Sequence, residues 1–269
     1  MLNALLAAAI ATAPPSVQAS AQPLAEDASP AMFMVRDADT TVYIFGTFHA
    51  LDGKSDWFRD RVKDAFEGSE ELVLETVIPE GKPIAPRPGF RGPPLTVAPS
   101  ASFLATTRMA ISAGKAQGMQ VGNGADNVLR HVAEAQGKPV EGLETLELQL
   151  NMFNRMPATK AAPVPKPGEP VEEQNQMQDL TKAMAAMQSA WKHGDQTVFV
   201  KMLNQLEKVS PDTYRVMFTE RNARWADWIA GRMQTPGTVF VAVGAGHLAG
   251  KDSLLVRLAE HGITSSRLN

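Results

Sequence analysis

Apolar residues along the chain fall into two textures, short continuous runs and stripes at helical spacing, and their order predicts the fold. In "AMFMVRDADTTVYIFG" (31–46) two apolar segments flank the polar turn Asp37-Ala38-Asp39. Their aromatic and β-branched residues predict a hairpin that leads into a core strand ending near Gly46. Ser55 precedes "DWFRDRVKDAFEGS", where Trp57, Phe58, Val62, Ala65 and Phe66 follow helical spacing and Gly68 closes the segment. "ELVLETVI" (71–78) is a continuous apolar run bounded by charges and Pro79. That is the pattern of a strand covered on both faces.

The stretch 79–100 is dense in Pro and Gly and sustains neither helix nor central strand, so it reads as a long surface loop placed to act as a lid. Helical patterns follow over 101–117 and 127–136, and "PVEGL" (139–143) reads as a short strand. A second proline-rich stretch, 156–174, precedes a helical region over about 175–233. The chain then runs through the apolar strand "TVFVAVG", a glycine-rich turn, the helix "SLLVRLAEHG" and a short last strand. The fold class is therefore α/β, a mostly parallel central sheet flanked by helices, with a helical insertion.

Composition narrows the setting. A chain of 269 residues supports one large domain with a substantial core. Its net charge of -3 offers no basic footprint, which argues against nucleic acid as a partner. Zero cysteines exclude disulfides, zinc-thiolate sites and thiol nucleophiles. The first 21 residues combine an alanine-rich apolar run with the small-x-small patterns Val17-Gln18-Ala19 and Ala19-Ser20-Ala21, as in a cleaved export signal. The expectation is a periplasmic or secreted protein whose single domain spans 22–269. The apolar run is too short to span a bilayer, so no membrane span is expected after cleavage.

Candidate chemistry gathers at strand ends. Two of the five histidines, His49 and His247, close Gly-x-x-His motifs directly after apolar strands. Ligands in parallel α/β folds collect at the carboxyl ends of strands, and glycine permits a sharp exit there. A phosphate-binding reading of "GAGHLA" fails, because no further strand carries the acidic residue that a dinucleotide fold needs. Glu75 lies inside an apolar strand, where a carboxylate requires a cation, a donor network or the open end of the sheet. Glu144, in a second "LET", ends another predicted strand. Two imidazoles with one or two carboxylates suit zinc, manganese or cobalt and leave a position for water. In the helix after Ser210-Pro211, Asn222 interrupts the apolar stripe Phe218, Trp225, Ile229, so its amide either ties down a loop or enters the site. Arg221 is placed to pair with a buried carboxylate or steady an anionic intermediate, and Arg224 to lie in solvent. Methionines 177, 184, 187, 202 and 217 read as core filling.

Taken in order, "YIFGTFHAL", "ELVLET", "VEGLETLELQL", "ERNARWADWI" and "VFVAVGAGHLAGKDSLLVRLAEHGI" resemble the TraB/GumN family, which includes the Tiki-type metalloproteases. The resemblance runs from about Ala31 onward. It implies a fold of the erythromycin-esterase and ChaN-like group, with His49, Glu75 and His247 at the active centre and Glu144, Arg221 and Asn222 in support. The expected activity is metal-dependent hydrolysis of a peptide or protein substrate. In that expectation His49, His247, Glu75 and Glu144 hold a divalent transition metal, while Glu75, Arg221 and Asn222 take part in catalysis. The competing expectation is a non-catalytic periplasmic protein that binds haem or a peptide in the same cleft.

Overall fold

The computed structural model describes residues 26–77, 101–155 and 171–269. In chain order the elements are β1 (Glu26–Asp27), β2 (Met32–Arg36), β3 (Thr40–Thr47), β4 (Ser55–Asp56), α1 (Asp60–Glu67), β5 (Glu71–Thr76), α2 (Ala101–Ala116), α3 (Ala125–Ala135) and β6 (Val140–Glu144). They continue with α4 (Leu146–Arg155), α5 (Val171–Lys192), α6 (Thr197–Val209), α7 (Pro211–Tyr214), a π-helical turn over Arg215–Thr219, α8 (Glu220–Arg232), β7 (Gly237–Gly244), a 3₁₀ turn over Ala245–Leu248, α9 (Leu254–Glu260) and β8 (Ser266–Arg267). The export-signal segment and the 79–100 loop fall outside the described residues.

Six strands form one sheet in the order β6-β5-β7-β3-β2-β8. The four strands from β6 to β3 are parallel to one another, and β2 and β8 add an antiparallel edge. This is the mostly parallel α/β sheet that the apolar runs predict. Side-chain alternation sends each central strand's residues to two cores. Phe45 of β3, Leu72 and Leu74 of β5, and Phe240 and Ala242 of β7 pack on one face with Trp57, Phe66, Leu129 and Trp191. Val42 and Ile44, Val73, and Val239, Val241 and Val243 pack on the other with Trp225, Ile229 and Leu258. Both faces are covered, which is why β5 and β7 read as unbroken apolar runs rather than as alternation.

Two expectations change. The predicted helix after Ser55 starts only at Asp60, because Ser55 and Asp56 pair with Glu26 and Asp27 as a short parallel bridge. Trp57 instead stacks on Phe45 with 5.6 Å between ring centroids and meets Trp191 edge-on at 6.0 Å. Burying that indole in the aromatic core outweighs the helical periodicity of the segment. The 10-residue helix α4 directly after β6 follows from no pattern noted in the sequence.

Parallel register places the strand ends on one edge. Thr47 at the end of β3 lies opposite Gly244 at the end of β7, and Thr76 at the end of β5 lies opposite Glu144 at the end of β6.

Candidate functional site

His49 follows β3 by two residues, Glu75 is the penultimate residue of β5, Glu144 ends β6, and His247 sits in the 3₁₀ turn after β7. The sheet order makes these four ends neighbours, although their residues are far apart in sequence. From across the edge, the start of α8 brings Arg221 and Asn222 to the same place. Both side chains are buried, Arg221 with 2% of its side chain exposed.

Arg221 is the hub. Its Nη2 donates to Glu75 Oε2 at 2.7 Å and lies 2.9 Å from Glu144 Oε2, while its Nε donates to both Glu144 oxygens at 3.0 and 3.1 Å. Its Nη1 lies 3.3 Å from His247 Nε2, and its guanidinium stacks over Trp225 at 4.5 Å. Arg224 adds a donor to Glu144 Oε1 at 3.0 Å, so this arginine is half in the site rather than wholly solvated. A carboxylate as buried as Glu144, 1% exposed, is tolerable only with such compensation. Both Glu144 oxygens are thereby engaged by arginine. Glu144 acts here as the anchor of Arg221.

The Asn222 amide does both of the things open to it. Its Nδ2 donates to the Asp252 carbonyl at 2.7 Å, which orients Oδ1 toward His247 Nδ1, also at 2.7 Å. His247 Nδ1 therefore carries the proton and Nε2 keeps its lone pair, which faces Arg221 and lies 3.7 Å from Glu75 Oε1. With both ends of the amide engaged, Asn222 orients His247.

His49 is held similarly by a residue that sequence reasoning missed. Its Nδ1 lies 3.2 Å from Asp126 Oδ1 at the start of α3. Asp126 Oδ1 is buried and lacks a well-aligned hydrogen bond, so among the described residues it is His49 that compensates it. The His49 ring is itself 62% exposed toward the cleft. The available signal was Asp126 in the first turn of an amphipathic helix, but nothing local linked it to a histidine 77 positions earlier.

Gly244 lies where these groups meet. A Cβ there would come 3.1 Å from Glu75 Oε1, 3.4 Å from His49 Nε2 and 3.6 Å from His247 Cδ2. Neither Gly46 nor Gly244 has a positive φ. Their value is room for close approach rather than the unusual backbone that a sharp exit suggested. Gly244 also donates its N–H to Glu75 Oε1 at 2.7 Å.

The charges sort themselves accordingly. Burial works to raise the pKa of Glu75, but the surrounding cations and the Gly244 N–H outweigh it and hold Glu75 at about 2. Burial pushes His247 down to about 3 against the pull of Glu75, so its imidazole is neutral and the cation facing Glu75 at neutral pH is chiefly Arg221. Packing around His49 acts to lower its pKa, yet the Asp126 contact and charge, helped by Glu75, raise it to about 9. The upward direction rests on Asp126. The pKa of Arg221 is raised despite burial, by Glu75 and Glu144.

These polar groups form part of the floor of a cleft of about 440 Å³. His193 and His261 lie elsewhere, His193 bonded to the Ser189 carbonyl and His261 beside Asp227.

The profile of the TraB/PrgY/gumN family matches residues 31–87 and 91–267, nearly the whole chain. The chain belongs to this family. The two matched stretches contain His49, Glu75, Arg221 and His247 of the floor together with Asp126, Glu144 and Asn222 that support them. No curated protein and no solved structure gives a significant match.

The donor chemistry of a metal centre is present in part. Histidines that hold a metal usually bind an acceptor through the other ring nitrogen, and both His49 and His247 do so. Yet among the described residues no three His, Asp or Glu side chains are grouped closely enough to hold an ion. Arg221 bridges Glu75 and His247, and Glu144 offers no free oxygen.

Proposed function

We propose that the cleft is the active site of an exported hydrolase that cleaves a peptide bond. The observation that supports this best is the meeting of His49, Glu75 and His247 over Gly244, with both imidazoles tied back through Nδ1 and presenting Nε2 inward. In the reaction, the oxygen of a water molecule bonds to the substrate carbonyl carbon while its proton passes to Glu75. The carbon–nitrogen bond then breaks, and the proton moves on to the departing amine. Glu75 is ionised at neutral pH and so has a lone pair for that proton, but with its pKa held at about 2 it is a weak base, and the transfer needs a water made more acidic. Arg221 holds a fixed positive charge over the floor and opposes the negative charge that develops on the carbonyl oxygen. Asn222 and Asp126 keep the two imidazoles in place.

A divalent zinc, manganese or cobalt ion would draw on His49, His247 and Glu75, which would have to close up from their present separation to hold it. Such an ion supplies polarisation of the carbonyl and a more acidic water. A second reading, direct activation of water without metal, is favoured by one specific observation: Arg221 already places a cation between Glu75 and His247.

The test is cleavage of a peptide library by the full chain, with added metal and after chelation. We expect turnover by the wild type and a loss of about 100-fold or more in His49→Ala, His247→Ala and Glu75→Gln, the double histidine variant being little worse than either single one. Folded variants that keep full turnover would refute the site. Activity that survives chelation selects the metal-free reading, and a Soret band on haem addition without any turnover selects a binding protein.

A further inference from the structure

The wall of the cleft differs in kind from its floor. Three helical segments each contribute an apolar pair: Met184 and Met187 from α5, Phe199 and Met202 from α6, and Met217 and Phe218 from the π-helical turn. Four of the five methionines that read as core filling therefore line open space. Apart from the buried Phe199 these side chains are only half-buried, so apolar surface stands uncovered directly beside the buried Glu75–Arg221 pair. Among the described residues, the charged or titratable side chains that line the cleft are His49, Glu75, Arg221 and His247, all on the floor.

From this arrangement, and resting on the hydrolytic reading above, we propose that the substrate is a peptide segment with bulky, uncharged apolar side chains on both sides of the scissile bond. A volume of about 440 Å³ exceeds what one side chain needs and falls in the range that encloses a ligand of several groups. Each apolar side chain taken fully out of water favours binding by roughly 10- to 100-fold. A Lys or Glu side chain in the same wall loses its hydration without gaining a partner there, so charged residues are excluded. Methionine's unbranched, rotatable side chain adapts to differently shaped neighbours, so Leu, Met and Phe are accepted with graded rather than sharp preference. Three apolar pairs on three separate helical segments suit several side chains branching from one backbone more closely than a single fatty chain.

The experiment measures binding separately from turnover. Blocked hexapeptides that differ only at their two central residues, Leu-Leu, Phe-Leu, Lys-Lys or Glu-Glu, are titrated calorimetrically into the chelator-treated wild-type chain and into Glu75→Gln. The same peptides are then assayed for cleavage by the wild type. We expect Leu-Leu and Phe-Leu to bind at least about 10-fold more tightly than the charged pairs. Met187→Lys should reduce that preference and improve the relative binding of Glu-Glu. Met202→Ala, which enlarges the wall without adding charge, should move the optimum toward Phe-Leu and serves if the lysine variant does not fold. Equal binding of apolar and charged peptides overturns the proposal, as does tighter binding of a decanoyl amide than of any peptide, which would assign the wall to a lipid chain. Apolar preference without cleavage leaves the substrate class standing and removes only the hydrolytic reading.

Discussion

Replacing Arg221 by methionine keeps much of the side chain's length and removes its charge, and the structure sets the scale of the damage. Arg221 pairs with Glu75 at 2.7 Å and with Glu144 at 2.9 Å, both largely out of water. Removing one partner of a buried ion pair costs about 3–5 kcal/mol, because the remaining charge is left desolvated. The displacement of Glu75 from 4.5 to about 2 gives a separate figure. At about 1.4 kcal/mol per tenfold change in proton affinity it corresponds to roughly 3 kcal/mol, shared among Arg221, the imidazoles and the Gly244 N–H. The sign follows from proton binding. Folded wild type holds the Glu75 proton more weakly than the unfolded chain, so this stability is present above 4.5 and is lost as pH falls through about 2. In Arg221→Met burial prevails and raises the pKa of Glu75 above its unfolded value. The variant's deficit is then largest at neutral pH and shrinks as the carboxylate takes up its proton. Urea unfolding followed by tryptophan fluorescence, at about pH 7 and about pH 5, measures both quantities. We expect a loss of about 3–5 kcal/mol at neutral pH and a smaller one in acid. Arg221→Lys should fall between, since one ammonium cannot reach Glu75, Glu144 and His247 together. A neutral-pH loss below about 1 kcal/mol, or a deficit that ignores pH, refutes the view of Arg221 as the hub.

Other expectations concern the positions around it. Asp126→Asn should bring the His49 pKa in metal-free protein from about 9 down toward 6.5, read by NMR titration of the ring, whereas an unchanged value would assign the rise to Glu75 instead. In Gly124→Ala the new Cβ would lie 2.3 Å from the His49 carbonyl oxygen, so we expect a loss of about 1–3 kcal/mol in thermal or urea melts, and wild-type stability would show that the α3 entry can move aside. N-terminal sequencing of the mature protein should find Ser20 or Gln22 first, and an intact Met1 product in the cytoplasm would end the export reading.

The sequence by itself determined what depends on a few adjacent residues. The continuous apolar stretches 72–74 and 239–243 read as covered strands, since neither alternates with polar residues that would face water. The hairpin at Asp37-Ala38-Asp39, the helices read over 101–117 and 127–136, and the family were legible in the same way, as was the concentration of His49, Glu75, Glu144 and His247 at strand ends. Asn222 was recognisable because an amide inside an apolar stripe demands partners.

What those partners were, only the tertiary structure decided. Glu144 and Arg221 are 77 positions apart and Glu75 and Arg221 146 apart, and they meet because β7 enters the sheet between β3 and β5. No local propensity encodes that insertion. The loss of chain entropy on closing such long loops is recovered only when many contacts form together. Asp126 likewise looked like any acidic residue in a first helical turn until the fold carried it to His49. The methionines show the same limit from the apolar side. A helical stripe records only which face avoids water, and that face looks identical whether another helix closes over it or a cleft remains open beside Glu75 and Arg221.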